Sequence, residues 1–255
     1  SYRYDFTGAI GDSGTQTVDE NSLAISGGFG KIVLGQDDDA ADSYNIDEMD
    51  LPTEEPGTTL ASATIGSSSS ITSTDAMKVA YHLPAMGGFT AGVSFADSGT
   101  NTGTDKTSMG AKYSMEAGGA SITLGYATQT TEATTKDTDQ SNMGLKVVTG
   151  DLSLIVSQGT TEAVDEDIDN QGASISYKMP NGMTIAAYTF KSEDALDAGE
   201  EYSRSGAEVA YSIASGLTAV VNVEDYDYKV GTNRDGASTV SDNGTVTQLT
   251  LKASF

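Results

Sequence analysis

Hydrophobic and polar residues alternate along most of this chain. In the segment MKVAYHL, residues 77–83, large apolar side chains recur at every second position, with Lys, Ala and His between them. The same period returns in FTAGVSF (89–95), SITLGYA (121–127) and AEVAYSI (207–213). Because successive side chains of a β-strand point to opposite faces, this period predicts strands with one apolar and one polar face. Helical periodicity is nearly absent, so an all-β fold is expected.

The alternating segments are roughly 8–12 residues long, which is the length that a tilted strand needs to cross a bilayer. Fourteen strands can be read from the sequence, at residues 2–10, 21–28, 30–36, 76–83, 88–97, 106–116, 119–130, 140–148, 151–160, 171–179, 182–192, 203–214, 216–229 and 245–255. No stretch is long and apolar enough for a transmembrane helix.

The connections between these strands alternate in length. Tight turns such as PNG (180–182) and ASG (214–216) alternate with long polar loops such as residues 130–140 and 192–204. A meander with short turns at one end and long loops at the other is typical of outer-membrane barrels, which have short periplasmic turns and longer extracellular loops. The pattern therefore predicts a transmembrane antiparallel up-and-down β-barrel that forms one domain, residues 1–255.

The composition narrows the function. The chain has 37 Asp and Glu against 13 Lys and Arg, a net charge of −24, which argues against nucleic acid as a partner. It has no cysteine, hence no disulfide, thiol nucleophile or cysteine metal site. The one histidine, His82, lies on the predicted polar face without a nucleophile at a motif spacing. No enzyme site and no required cofactor are predicted.

Two other structural classes are compatible with a hydrophobic content of only 37%. A disordered chain combines high net charge with low hydrophobicity, but it would not show regular alternation. A soluble β-sandwich needs two sheets that share an apolar core, and the pattern gives no sign of such sharing. A β-rich adhesin, structural protein or receptor without channel activity is the alternative function.

Two segments resemble a known family. LAISGGFGKIVLGQDDDAADS (23–43) is similar to the region of Gram-negative general diffusion porins, of the alphaproteobacterial type, where a hairpin leads into the third, inward-folded loop. The terminal LKASF is similar to their closing strand, in which Phe255 would be the aromatic that the assembly machinery reads. The resemblance implies a homotrimer in outer-membrane lipid and lipopolysaccharide that passes small hydrophilic solutes and ions by diffusion.

The resemblance also raises a question about the number of strands. Such porins have 16 strands and open on a strand similar to EVKISG, whereas this chain opens on SYRYDFTGAIGDSGT, which looks like their second strand. We therefore expect 16 strands in the complete protein, with a true 14-stranded barrel as the alternative.

The longest connection, residues 37–74, is acidic and contains no Lys or Arg. By resemblance it folds into the pore and constricts it; as an alternative, a loop of this length is simply solvated or disordered. Its candidate constriction residues are Asp37, Asp38, Asp39, Asp42, Asp47, Glu48, Asp50, Glu54 and Glu55. Walls of carboxylates favour cations, because the low-dielectric walls of a channel focus the field of fixed charges.

A field across the pore also needs basic side chains opposite the loop. Alternation places these on the polar face; the candidates are Arg3, Lys31, Lys78, Lys112 and Lys146. The alternative for each is a lumen position far from the constriction. The sequence thus predicts a cation-preferring channel in which an acidic loop faces a basic wall.

Calcium is a further candidate ligand. Dense carboxylates in a loop can hold Ca²⁺, and the run VDEDIDN (164–170) supplies such a group. The candidate ligands are Asp165, Glu166, Asp167 and Asp169. Their spacing matches no EF-hand, so a solvated acidic loop is the favoured interpretation.

Overall fold

The computed structural model of this chain describes residues 2–7, 17–53, 71, 76–97, 105–231 and 241–253, with the backbone alone for residues 2–7 and 17–20. Over these residues the fold is all-β. The strands are β1 (Tyr2–Thr7), β2 (Thr17–Gly27), β3 (Gly30–Gln36), β4 (Met77–His82), β5 (Phe89–Ala96), β6 (Lys106–Ala117), β7 (Ala120–Thr131), β8 (Thr138–Thr149), β9 (Leu152–Glu162), β10 (Asp167–Lys178), β11 (Met183–Asp194), β12 (Glu201–Ala214), β13 (Leu217–Lys229) and β14 (Asp242–Ala253).

Two short helical segments follow β3 in the long loop. They are α1 (Ala40–Tyr44) and a single 3-10 turn (Glu48–Asp50), for which the Asp47 side chain accepts a hydrogen bond from the Met49 N–H. The sequence pattern did not predict them, because a helix of one turn has no measurable period. No helix in the described part of the chain is long and apolar enough to cross a membrane.

The strands form one antiparallel sheet in chain order. Each strand pairs with the next, and β1 and β14 are the two ends of the hydrogen-bonded order. The pairing of β6 with β7 runs without interruption from Lys106 opposite Thr131 to Ala117 opposite Ala120. Gly118 and Gly119 close this hairpin with φ of 61° and 83°, a left-handed conformation that L side chains rarely adopt. Tight turns of this kind hold neighbouring strands in a fixed register.

The two faces of the sheet differ in the way that the alternation predicts. Large apolar side chains are exposed on one face; examples are Leu23, Val79, Val93, Met109, Leu124, Met143, Val156, Ile175, Val209, Val221 and Leu249. The opposite, polar face carries buried side chains such as Ser94, Asn142, Ser174 and Asn222. An exposed apolar face and a buried polar face reverse the arrangement of a soluble domain, as expected when the exposed face contacts lipid.

Apolar side chains also cluster on the polar face. At the loop ends of β10–β13, Ile168, Phe190, Tyr202 and Tyr228 pack together, with the Phe190 and Tyr202 rings 6.3 Å apart. The connection between β11 and β12 contacts this cluster, since the Tyr228 hydroxyl donates to Glu200 Oε1 at 2.7 Å. These strand ends therefore have a small core of their own.

The predicted strands agree with the observed ones in their order and in which side chains lie on the apolar and the polar face of the sheet. Several run further into the loops than predicted: β2 begins at Thr17, β8 at Thr138 and β10 at Asp167. The backbone ladder continues there although most of these residues are polar, and apolar alternation could not show that part. The strand number of the complete protein stays a prediction.

Candidate functional site

The described part of the long loop crosses the polar face of the sheet. Near its start, the Ser22 hydroxyl of β2 donates to Asp37 at 2.6 Å. The Ala40 N–H then donates to Ser94 Oγ on β5, and the Ala41 N–H donates to Ser108 Oγ on β6. These contacts hold the beginning of the loop against the first half of the sheet.

The far end of this segment contacts the last strands. The Thr53 N–H donates to Glu208 Oε1 on β12 at 2.8 Å, and Lys252 Nζ on β14 donates to the Thr53 carbonyl at 2.9 Å. Residues 37–53 thus touch the sheet from β2 to β14.

Asp39 is the first buried ionic contact between the loop and the sheet. Its carboxylate is 1% exposed and accepts from Lys78 Nζ on β4 at 2.9 Å and from Lys106 Nζ on β6 at 3.1 Å. Because a buried charge is stable only when it is paired, these three groups depend on one another. Lys78, a predicted wall residue, therefore holds the loop, and Lys106 is a partner that the sequence reading missed.

Glu48 is the second buried ionic contact. It accepts from Ser157 Oγ on β9 at 3.2 Å and lies 3.5 Å from Arg204 Nη2 on β12. Arg204 also lies 3.7 Å from Glu224 on β13, so one guanidinium faces two buried carboxyl groups. Burial, the largest effect, and the charge of Asp47 raise the pKa of Glu48 to about 7, against the opposing effects of Arg204 and Ser157.

Arg204 and Glu224 were also missed as site residues. Arg204 is four positions before Glu208, and alternation puts both on the polar face of β12. Extending the apolar pattern of AEVAYSI backwards by two periods would have found it. What the pattern could not show is that the loop covers this arginine.

The exposed acidic residues of the loop lie near two wall lysines. Asp42 and Asp50 are exposed, Asp47 is half-buried, and all three interact electrostatically with Lys112 on β6. Lys146 on β8 interacts with Asp50. In this group of three carboxylates and two lysines, Asp42 and Asp50 are the exposed members.

The other predicted residues have different surroundings. Asp38 and Lys31 are exposed, whereas His82 hydrogen-bonds through Nδ1 to the Tyr44 hydroxyl at 2.9 Å. The side chains of four predicted residues lie outside the described part of the structure: Arg3, Glu54, Glu55 and Phe255.

The candidate calcium ligands lie at the hairpin between β9 and β10. Asp165 and Glu166 are in the turn, and Asp167 and Asp169 are two residues apart on β10. Among the residues that the structure describes, no group of three His, Asp or Glu side chains is arranged to hold a metal ion. The calcium site stays a prediction that no observed geometry supports.

An up-and-down antiparallel sheet with an apolar exposed face, and with a loop on its polar face, is the architecture of a membrane channel of the β-barrel class. Residues 2–245 match the Gram-negative porin family. The chain therefore belongs to this family, and it is an outer-membrane diffusion channel rather than an enzyme. The predictions of family, fold class and location are confirmed, and the alternative without channel activity is disfavoured.

Solved structures support the same fold at low sequence identity. An anion-selective porin from Comamonas acidovorans is 17% identical, with a TM-score of 0.68 over 94% of this chain and 79% of that one. A mutant porin of Rh. blastica is 17% identical, with a TM-score of 0.65 over 90% and 82%. OprB of Pseudomonas putida is 11% identical, with a TM-score of 0.65 over 94% and 74%. No curated protein sequence matches the chain.

Proposed function

We propose that this porin prefers cations, and that residues 37–74 constrict its pore. The observation that carries the proposal is the position of the charges in residues 37–53. Asp39 is buried between the loop and the sheet, where it pairs with Lys78 and Lys106, whereas Asp42 and Asp50 are exposed. The carboxylates that reach solvent are thus the ones that permeating ions would meet.

The balance of charge at this place is acidic. Asp42, Asp47 and Asp50 face Lys112 and Lys146, which leaves a surplus of one negative charge. Carboxylates on the loop and lysines on the wall set up a field across the opening, and the surplus attracts cations. The whole chain carries a net charge of −24, which adds to the attraction for cations.

The fold by itself does not decide the sign of the selectivity. The similar structure from Comamonas acidovorans is named an anion-selective porin. The proposal for this chain therefore depends on its own side chains, and it is tested by exchanging them.

The test is a reversal potential measured in a planar bilayer under a KCl gradient. We expect cation preference for the unaltered protein and a weaker preference for Asp42→Asn and for Asp50→Asn. Glu193→Gln, which removes an exposed carboxylate at the end of β11, is the matched control and should change little. Anion preference of the unaltered protein, or an equal effect of all three substitutions, would contradict the proposal.

We further propose a homotrimer surrounded by lipid and lipopolysaccharide. The exposed apolar face supports the lipid contact, and the family supports the trimer. Native mass spectrometry of the detergent-solubilised protein measures the oligomer directly: a mass of three chains supports the trimer, and a mass of one chain contradicts it. Binding of lipopolysaccharide no stronger than that of a soluble protein contradicts the lipopolysaccharide contact.

A further inference from the structure

A row of glycines crosses the polar face beneath the loop. Its members are Gly92 on β5, Gly110 on β6, Gly125 on β7, Gly144 on β8 and Gly172 on β10. Gly92 pairs with Gly110, and Gly125 pairs with Gly144. On β9, between Gly144 and Gly172, the row contains the small residue Ser157. We call these five glycines the glycine track.

The loop backbone lies directly on the track. A Cβ atom added at Gly110 would be 2.7 Å from Tyr44 Cβ, and one at Gly125 would be 2.7 Å from the Tyr44 carbonyl oxygen. At Gly144 the added atom would be 2.3 Å from the Ile46 carbonyl oxygen. Real Cβ atoms essentially never show such distances, so at Gly110, Gly125 and Gly144 a methyl group fits only if the loop shifts. At Gly92 and Gly172 the nearest atoms belong to side chains, those of His82 and Tyr44 at Gly92 and that of Glu48 at Gly172.

Backbone conformation does not explain these glycines. None of the five has a φ in the left-handed region, where glycine is favoured. A glycine inside a strand also weakens the strand, because it contributes no side chain to the packing. The close approach of residues 44–48 is therefore the reason that the structure offers for glycine at these positions.

We propose that the glycine track sets the distance between the loop and the barrel wall, and thereby the width of the pore. The proposal rests on the proposed function, in which this loop forms the constriction. Two of the obstructing atoms are backbone oxygens, so a side-chain rotation cannot make room for a substituent. The loop would have to move off the wall by about an ångström to restore ordinary contact distances.

The direction of this movement follows from the attachments of the loop. Asp39 ties the start of the segment 37–53 to β4 and β6, and Thr53 ties the end of this segment to β12 and β14. With both ends held, residues 44–48 can move only away from the wall, which is toward the open side of the polar face. A larger side chain on the track thus makes the opening narrower and leaves its charges unchanged.

The main test uses three single substitutions. Gly144→Ala and Gly144→Val place one and three carbon atoms under Ile46, and Gly28→Ala places one carbon in a turn where nothing lies within 4 Å. We expect single-channel conductance, and the largest neutral sugar that enters liposomes, to fall from Gly28→Ala to Gly144→Ala to Gly144→Val. The sign of the reversal potential should stay the same. Unchanged or higher conductance in folded Gly144→Val, as judged by heat-modifiable migration, would overturn the proposal.

A second test keeps the proposal falsifiable if Gly144→Val does not fold. The three atoms nearest to a Cβ at Gly172 would all belong to the Glu48 side chain, with Oε2 at 2.3 Å, Cδ at 2.7 Å and Cγ at 2.9 Å. Gly172→Ala should therefore lower the conductance when Glu48 is present and should have no effect in a Glu48→Ala background. The same effect in both backgrounds would overturn the proposal, because the loss would not come from contact with the loop.

A cysteine at the exposed face of the loop separates the two proposals. The chain has no cysteine of its own, so Asp42→Cys provides a single thiol. A charged thiol reagent that reduces the current supports a constriction at this loop. If it does so while the glycine substitutions have no effect, the track proposal alone is wrong. If the reagent and the glycine substitutions both leave the current unchanged, the constriction is wrong, and so is the role of the track in pore width.

Discussion

At the scale of single residues, four acidic side chains in the described part of the loop form two groups. Asp39 and Glu48 are buried against the wall and have basic partners there, whereas Asp42 and Asp50 are exposed. Buried charges are costly to leave unpaired, and exposed ones are screened by water and salt. We therefore expect substitutions in the first group to change stability and those in the second to change ion selectivity.

Asp39→Asn tests the buried group. It leaves the ammonium groups of Lys78 and Lys106 without their shared carboxylate, and breaking a buried pair costs about 3–5 kcal/mol. The control is Glu193→Gln, which breaks the exposed contact between Glu193 and Lys191, a kind of pair worth about 0–1 kcal/mol. Urea unfolding in detergent should show a large loss for the first variant and a small one for the second. Equal losses would contradict the structural role of Asp39.

Glu48 should make stability depend on pH. Its pKa rises from 4.5 to about 7 in the folded protein, mainly because of burial. Folding therefore favours the protonated carboxyl, whose contribution is complete below pH 4.5 and is lost as the pH rises through about 7. Between about pH 5 and about pH 8, the thermal midpoint of the unaltered protein should fall more than that of Glu48→Gln, which cannot ionise. Identical pH profiles would refute this prediction.

At the scale of the elements, each strand has a lipid-facing and a loop-facing side. Leu124 on β7 is exposed on the apolar face. Ser114 on β6 is exposed on the polar face and pairs with Thr123, the residue beside Leu124. The two positions are thus at nearly the same height and on opposite faces of the sheet.

This pair tests the facing of the strands. Leu124→Arg places a charge against lipid, which costs about 2–4 kcal/mol near the bilayer midplane. Ser114→Arg places the same charge on the wet face, where we expect little loss. The measurement is the fraction of protein that shows folded, heat-modifiable migration after refolding into vesicles. A larger loss for Ser114→Arg than for Leu124→Arg would reverse the assignment of the two faces.

At the scale of the whole molecule, the charge acts at a distance as well as at the constriction. A net charge of −24 raises the local concentration of cations around the channel. This long-range contribution is screened by salt, because the Debye length falls from about 10 Å at 0.1 M to about 3 Å at 1 M.

We therefore expect the cation preference to weaken between 0.1 M and 1 M KCl, where screening removes the long-range contribution. The remaining preference at high salt should be the part that Asp42→Asn and Asp50→Asn reduce. Reversal potentials at both ionic strengths, for the unaltered protein and the two variants, measure this. Cation preference that does not change with salt would show that distant charges contribute nothing.

Much of the fold could be predicted from local pattern alone. The period of two places Val79, Leu124 and Leu249 on one face, because strand geometry leaves each side chain only two directions. Tight turns that contain Gly118 and Gly119 mark where a strand reverses. The apolar cluster of Ile168, Phe190, Tyr202 and Tyr228 was not predicted, since it forms between side chains of four strands that meet only in the sheet.

By itself, the sequence determined the strands, their facing and the acidity of the loop, because these depend on neighbouring residues or on composition. Only the tertiary structure decided which charges pair: Asp39 with Lys78 and Lys106, and Glu48 with Arg204, 156 residues away. It also placed Ile46 directly over Gly144. Contacts between residues so distant in the chain depend on strand register and on the path of the loop, which no local pattern records.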